Sequence, residues 1–460
     1  MRADLTEFAD EYSPIDFLFA QKVFPDAPKP ATLFLAHILK TAREGHLCVA
    51  LTAELGPLLL EGAGALPPSL FEKVLARQGN RIYLRRNWEC ESSFLYHLRR
   101  IRNAPPLGEI TLSNLSEQGL NAEQQEAVRR SALQSLTFIS GGPGTGKTFT
   151  AAVLIRLFLA SGVKKIAVAA PTGKATANLR NALGPLGEKC VIKTLHALLK
   201  SSAKPSSLYA DLILVDEGSM VDAHLMASLF HAVRSGARLV MLGDPDQLPP
   251  VESGHFFADL ARDPGLTVEL KTCLRTELQA IIDLAKAVKK GEAITTLPLL
   301  AVKELIQQLM QRPQQLLTPL RKGPYGSDQL NQLLYLEHQK RGAREIPILI
   351  TVNDPHLSLY NGDVGVLKLD EQCATFADGR SIPQYQLPHY EYAYALSVHK
   401  SQGSEYDRVL IVLPQGAEVF GREMLYTALT RAKKGVTLMA YPGVVEAIVK
   451  TSSHRLSGIN

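Results

Sequence analysis

Short apolar runs, each closed by a polar turn, alternate along much of the chain with stretches whose apolar residues return every three to four positions. The first pattern predicts buried strands and the second amphipathic helices. Four runs, at 136–139, 165–170, 212–215 and 238–242, are spaced by helical stretches, one of which (148–159) follows the first run closely. Such alternation predicts a parallel sheet covered by helices. Upstream, residues 15–24 and 31–42 carry helical spacing, and residues 1–108 read as mostly helical up to Pro105 and Pro106, which stop a helix and stiffen the chain. A second alternating region begins near Val268, with an amphipathic helix over 278–289, and returns with strands at 408–413 and 436–440. Between them, 346–351, 364–369 and 373–376 read as strands, with turn signals at Asn361-Gly362 and Asp378-Gly379. The expected division is a helical N-terminal domain (1–108), a first α/β domain (109–268) and a second in two parts (269–339 and 391–460). A small β-barrel (340–390) is inserted between those parts.

Composition narrows the class without changing this picture. An apolar share of 46% and a charged share of 21% are those of an ordinary globular protein. A net charge of +5 permits a polyanionic partner without demanding one. The five cysteines are far apart, with no C-x-x-C pair, which argues against a zinc site or disulfide framework and fits a reducing cytoplasm. The N-terminus lacks a signal-type apolar core and no run is long enough to span a membrane, so none is expected. Residues 81–101 mix aromatics with arginines, a face for nucleic acid or another protein, or else arginine stems packed along a helix.

The chemistry sits where the apolar runs end. After 136–139 comes SGGPGTGKTFT, in which Gly141, Gly146, Lys147 and Thr148 match the phosphate-binding pattern G-x-x-x-x-G-K-[ST]. Its backbone curls round phosphates without a Cβ in the way, and the following helix turns its positive end to the anion. Lys147 reaches the outer phosphates and the Thr148 hydroxyl suits Mg²⁺. The run 212–215 delivers Asp216, suited to Mg²⁺, and Glu217, suited to polarising the attacking water. The run 238–242 leads into Gly243-Asp244-Pro245-Asp246-Gln247, a rigid loop able to hold the Gln247 amide against phosphate or water. Arg275 and Arg431 are placed to neutralise charge on the transferred phosphoryl group from a second domain.

Beside these, residues 120–128 resemble an adenine-reading Q motif, and Pro171-Thr172-Gly173-Lys174 and Thr194-Leu195-His196 resemble motifs Ia and Ib of superfamily 1 helicases. Motif III is similar at 243–251, motif V at 397–407 and motif VI at 426–432, and within the superfamily the series resembles the RecD family. The resemblance implies two RecA-like P-loop motor domains with an SH3-like β-barrel insertion, using ATP and Mg²⁺. Gln124 would read adenine; Gly141, Gly142, Pro143, Gly144, Thr145, Gly146, Lys147 and Thr148 would cradle phosphates; Glu405 would lie near the ribose. Thr148 and Asp216 would hold the metal. Lys147, Glu217, Gln247, Arg275 and Arg431 would be catalytic, and Pro171, Thr172, Lys174, His196, His399 and Gln402 would line a single-stranded DNA track. Movement 5′→3′ is part of the same inheritance.

Residues 13–17, 44–48 and 83–89 resemble the N-terminal domain of the RecD subunit of exonuclease V. That implies docking through this domain onto a RecC-like partner, in a heterotrimer with a RecB-like subunit that serves double-strand break repair and recombination. The alternatives are a stand-alone helicase, a nucleotide-gated DNA-binding regulatory subunit, and a helicase acting on RNA. Three departures stand out. Gly218 replaces the usual alanine after the acidic pair, a change expected to be harmless; Leu274 replaces an aromatic before Arg275; and the interval 200–210 is short for a strand-separating hairpin.

Overall fold

In the computed structural model, which describes residues 6–112, 115–200, 208–273 and 279–459, all four apolar runs become strands of one parallel sheet. Its six strands lie in the order Val191–Thr194, Ile166–Ala170, Leu212–Val215, Arg238–Gly243, Leu136–Gly141 and Thr267–Leu270. The central strands are buried along their whole length, which is why they read as unbroken apolar runs. Alternate residues feed two cores. Ile139, Val168, Leu214 and Val240 pack with Leu154 and Phe158 on one face, and Phe138, Ala169, Ile213 and Met241 with Met226 and Phe230 on the other. The strand Thr267–Leu270 corrects the expected boundary near 268: Val268 stands opposite Ile139 and Leu270 opposite Gly141, so this segment completes the first sheet.

A second parallel sheet has five strands in the order Leu297–Pro298, Ala432–Ala440, Tyr406–Leu413, Gln315–Thr318 and Ala395–Ser397. The helices Gln279–Lys290 and Gly421–Leu429 cover one of its faces and contribute to its core. Between these parts comes a five-stranded antiparallel sheet, Ser381–Pro383, Cys373–Phe376, Val364–Lys368, Glu345–Ile350 and Tyr390–Tyr392 in spatial order. Its last strand runs two residues past the expected end at 390.

The N-terminal region is not mostly helical throughout. Helices Pro14–Val23 and Lys29–Arg43 fall where the spacing puts them, but Cys48–Ala50, Arg81–Leu84 and Leu75–Gln78 form a three-stranded antiparallel sheet. The arginine-rich stretch divides into the strand Arg81–Leu84 and the helix Arg85–Asn103. That helix faces the first sheet's helix Ala223–Ala232: Phe94 stacks on Phe256 at 4.2 Å and meets Phe230 edge-on at 4.7 Å. Arg100 donates to the Phe230 carbonyl at 2.8 Å, so here the arginine stem packs along a helix.

The chain after Pro105 and Pro106 is pinned by a buried cation. Arg238 donates to the carbonyls of Leu107 (2.6 Å), Gly108 (2.7 Å) and Ala132 (3.0 Å). From the second half, residues 451–459 cross back to the N-terminal region and to the helix Phe256–Leu260. Leu47 N donates to Leu456 O at 2.9 Å, Ser457 Oγ to Asp259 Oδ2 at 2.9 Å and Gly458 N to Glu91 Oε2 at 2.8 Å. Among the described residues no helix is long and apolar enough to cross a membrane.

Candidate nucleotide-binding site

The carboxyl ends of the first parallel sheet's strands and the amino ends of Tyr406–Leu413 and Ala432–Ala440 in the second open on one cleft of about 1000 Å³. The phosphate loop lies between the strand Leu136–Gly141 and the helix Lys147–Ala160. Gly146, the residue before that helix, has φ +81°, a left-handed conformation that an L side chain rarely adopts. Gly141 has no room for a Cβ, which would stand 2.7 Å from Thr145 Oγ1 and 2.9 Å from Leu270 O. Lys147 folds over the loop and donates to the Gly142 carbonyl at 3.0 Å as well as to Gly141 O, which aims its ammonium along the loop.

Asp216 and Glu217 enter from the end of the strand Leu212–Val215 and line the same cleft. Burial, and then the neighbouring Glu217 charge, push the Asp216 carboxyl up to about 6, against the opposing pull of a backbone hydrogen bond and Lys147. Glu217 itself has φ +54°, left-handed although it carries a side chain. Gly218 is needed where it stands, because a Cβ would lie 2.7 Å from the Phe257 ring and 3.0 Å from Leu242 O. The expectation of a harmless change is thereby sharpened: an alanine would not fit this packing. Thr148 and Asp216 share the cleft, and among the described residues no group of three His, Cys, Asp or Glu side chains could hold a metal. That donor set fits Mg²⁺, which keeps waters and leans on substrate phosphates.

Gln247 reaches the cleft from a loop that packs against the second half of the molecule. Its Nε2 donates to Asp244 Oδ2 at 3.2 Å. Across the cleft stand Glu405, 3.7 Å from the Lys433 ammonium, and Arg431. Arg431 is buried and donates to Thr427 O (3.1 Å), Ser404 O (3.3 Å) and Thr430 Oγ1 (3.3 Å), and among the described residues it pairs with no carboxylate. The structure thus brings Lys147, Thr148, Asp216, Glu217, Gln247, Glu405 and Arg431 together. Arg275, with Leu274, and most of the interval 200–210 lie outside the described residues.

Two expected sites look different in the structure. Gln124 does not present a free amide to a base. It is buried in a capping box with Asn121, accepting from Asn121 N at 3.0 Å while its Nε2 donates to Thr145 O at 3.1 Å. Its place is behind the phosphate loop, which it braces. Lys174, expected in the DNA track, instead lines the nucleotide cleft and donates to Gly362 O at 2.8 Å and to Ser404 Oγ. The packing of Tyr360 against Gly173 shows how close the antiparallel insert comes.

The other track residues follow strand ends. Pro171 and Thr172 follow Ile166–Ala170, His196 follows Val191–Thr194, and His399 and Gln402 follow Ala395–Ser397. The Thr172 hydroxyl accepts from Ala175 N at 3.1 Å and caps a helix, while His196 is exposed. Burial, and then Arg455, hold His399 below the usual histidine value. Gln402 Nε2 is buried with no hydrogen-bond partner among the described residues. Sequence reasoning passed over Asp244 Oδ2 as the shared acceptor of Gln247 and Tyr426, a contact that neither spacing nor residue type signals.

An AAA domain model matches residues 119–311 and a UvrD-like helicase C-terminal domain model matches residues 392–439. The chain is 32% identical to the RecBCD enzyme subunit RecD of Mycolicibacterium smegmatis, over 99% of this chain and 98% of that protein. It is 32% identical to the RecBCD enzyme subunit RecD of Mycobacterium tuberculosis, covering 82% of this chain and 79% of that one. It is 31% identical to the ATP-dependent RecD2 DNA helicase of Deinococcus radiodurans, covering 85% of this chain and 59% of that one. Among solved structures, Bacteroides Pif1 bound to single-stranded DNA aligns with a TM-score of 0.46 at 19% identity, covering 71% of this chain and 93% of that one.

Proposed function

We propose that this chain, which belongs to the RecD family of ATP-dependent DNA helicases, is a motor that moves 5′→3′ on single-stranded DNA within an exonuclease V-like assembly. The observation that carries the reading is the shared cleft. Lys147, Thr148, Asp216, Glu217 and Gln247 come from one parallel sheet, and Glu405 and Arg431 from the other. Hydrolysis in such a cleft is coupled to the relative motion of its walls.

In this reading the two parallel sheets are RecA-like motor domains and the antiparallel insert is an SH3-like barrel. The phosphate loop from Gly141 to Thr148 cradles ATP, and Thr148 and Asp216 would hold Mg²⁺, whose charge would offset that of the phosphates. Glu217 takes up the proton of the attacking water, Gln247 orients it, and Arg431 with Arg275 meets the charge that develops on the phosphoryl group. The Glu405 carboxylate accepts from the ribose.

Pro171, Thr172, His196, His399 and Gln402 form the DNA track at the strand ends. The buried Gln402 amide, which finds no acceptor among the described residues, supports that role, since a phosphate oxygen supplies one. RecB- and RecC-like subunits are the proposed partners, and the cytoplasm the proposed location. Likeness to a named RecBCD subunit over 98% of its length favours this assembly over a stand-alone helicase.

The test is ATP hydrolysis by the purified protein with and without single-stranded DNA, beside Lys147→Ala. Strong stimulation by DNA and near-complete loss in the variant are expected, and strands blocked at one end then give polarity. A folded, nucleotide-binding protein that DNA fails to stimulate, alone and with its partner subunits, would sink the motor.

A further inference from the structure

Tyr426 belongs to the helix Gly421–Leu429 of the second half, yet its hydroxyl ends among the residues of the first. It donates to Asp244 Oδ2 at 2.9 Å. A Cβ added at Gly142, in the phosphate loop, would stand 3.1 Å from the same hydroxyl. Asp244 Oδ2 also accepts from Gln247 Nε2 at 3.2 Å, so one carboxylate oxygen serves two donors from opposite sides of the cleft. The other oxygen is fixed locally by Asp246 N at 3.2 Å. Tyr426, Asp244 and Gln247 are only 5%, 1% and 5% exposed, so water does not replace these bonds. Burial, and then the Asp244 carboxylate, push the Tyr426 phenol well above its ordinary value, so it remains a donor.

The same helix grips the loop a second time, since Thr427 Oγ1 accepts from Leu248 N at 2.8 Å. The neighbouring helix adds Lys289, whose ammonium pairs with Asp246 and lies 5.7 Å from the Tyr426 ring centre. These ties fix where the loop sits. Only the Tyr426–Asp244 bond bears on where the Gln247 amide points, because only it shares an acceptor atom with that amide.

We infer that Tyr426 is a positioning residue for Gln247, acting through Asp244, so that the second half of the molecule sets the amide against the γ-phosphate or the attacking water. The inference rests on the reading of Gln247 as the group that meets them. When the halves separate, Tyr426 leaves Asp244 and the amide loses its fixed bearing. Hydrolysis then proceeds only when the halves are closed, which ties each turnover to a movement.

Tyr426→Phe keeps the ring, its burial and its packing, and removes only the donor. In the full chain with single-stranded DNA, kcat for ATP is expected to fall about ten-fold, the scale of one hydrogen bond to a charged group. KM for ATP stays as in the parent, and the melting temperature falls only by what the loss of one buried hydrogen bond costs, leaving the protein folded at the assay temperature. Gln247→Ala lowers kcat on its own, and the double variant matches Gln247→Ala, since Tyr426 acts only through that amide. Asp244→Asn, which keeps the shape of the side chain, shows the same split between kcat and KM. A parental kcat in Tyr426→Phe, or a further ten-fold loss in the double variant, would overturn the inference while leaving Gln247 in its role. An unchanged kcat in Gln247→Ala would remove both.

Discussion

The Lys174 ammonium donates to the Gly362 carbonyl at 2.8 Å, so a side chain of the first parallel sheet's crossover helix is anchored in the antiparallel insert. The same ammonium donates to Ser404 Oγ of the second parallel sheet's half, and three parts of the molecule meet on one charge. Burial holds this lysine down to about 8, outweighing the pull of Asp363, with Arg431 adding to the lowering. The unfolded chain keeps its proton up to the ordinary value of 10.5. Between those two values the unfolded state binds more protons than the folded one, so stability rises with pH across the window. Below pH 8 the site costs the most. Urea melts at pH 7.5 and 9.5 should show the parent gaining about 1–2 kcal/mol relative to Lys174→Met. An identical pH dependence in both proteins would mean that the lysine is not desolvated at this junction.

Arg431 makes its described bonds to neutral carbonyl and hydroxyl oxygens. A buried guanidinium held this way is oriented but has no counter-charge, and an anion in the cleft supplies one. Arg431→Lys keeps the charge and loses the fork that reaches Thr427 and Ser404 together. The expected result is nucleotide binding within a few-fold of the parent and kcat lower by at least about a hundred-fold. Fluorescent-nucleotide titration beside steady-state hydrolysis separates the two. Equal losses of binding and turnover would make Arg431 a ground-state phosphate ligand instead.

Glu217, the proposed base, also carries strain. Its φ of +54° costs a residue with a side chain about 1–2 kcal/mol, a cost glycine escapes. Glu217→Gln and Glu217→Gly both remove the charge beside Asp216, so the difference between them isolates the backbone. Both variants should hydrolyse ATP 10²- to 10⁴-fold more slowly, on the order of a lost general base. Glu217→Gly should nevertheless be the more stable, by about 1 kcal/mol in chemical denaturation. If Glu217→Gln is the more stable of the two, the left-handed backbone at this position stores no strain.

The central strands and the phosphate loop were legible in the sequence because burial on both faces leaves apolar runs unbroken, and because a phosphate loop needs its residues in a fixed local order. What lay outside reach was long-range. Val191–Thr194 is an edge strand with two exposed positions, and Arg81–Leu84 opens on an arginine, so neither resembles a buried run. The helical spacing of residues 1–108 could not reveal that Cys48–Ala50 pairs with a strand some thirty residues away. Lys174 sits in a motif that points to DNA, and only the approach of Tyr360 and Gly362 from the insert turns it to the nucleotide cleft. Gln124 carries a local signal as well. Asn121-x-x-Gln124 is a capping-box pattern, and its side chains close on each other as that pattern requires.

Arg238 shows the same limit from the side of stability. It reads as the first residue of an apolar strand, yet it is 2% exposed and donates to three backbone carbonyls on two separate segments. Two of them, Leu107 and Gly108, belong to the link between the N-terminal region and the first sheet, and the Phe158 ring lies 5.4 Å from the guanidinium. Arg238→Met fills much of the volume without a donor and leaves three carbonyls without it. Only the Ala132 bond is buried, while Leu107 and Gly108 are exposed and their carbonyls regain water, so the expected loss is about 1–3 kcal/mol. The loss should be uneven. Amide hydrogen exchange should quicken first at the amide of Leu107, which donates to Gly236 O at 2.8 Å, while the strand Leu212–Val215 keeps its protection. Arg238→Lys, which retains one donor centre, should recover part of the stability and part of that protection. A melting temperature unchanged in Arg238→Met would show that the buried cation contributes nothing to holding the link.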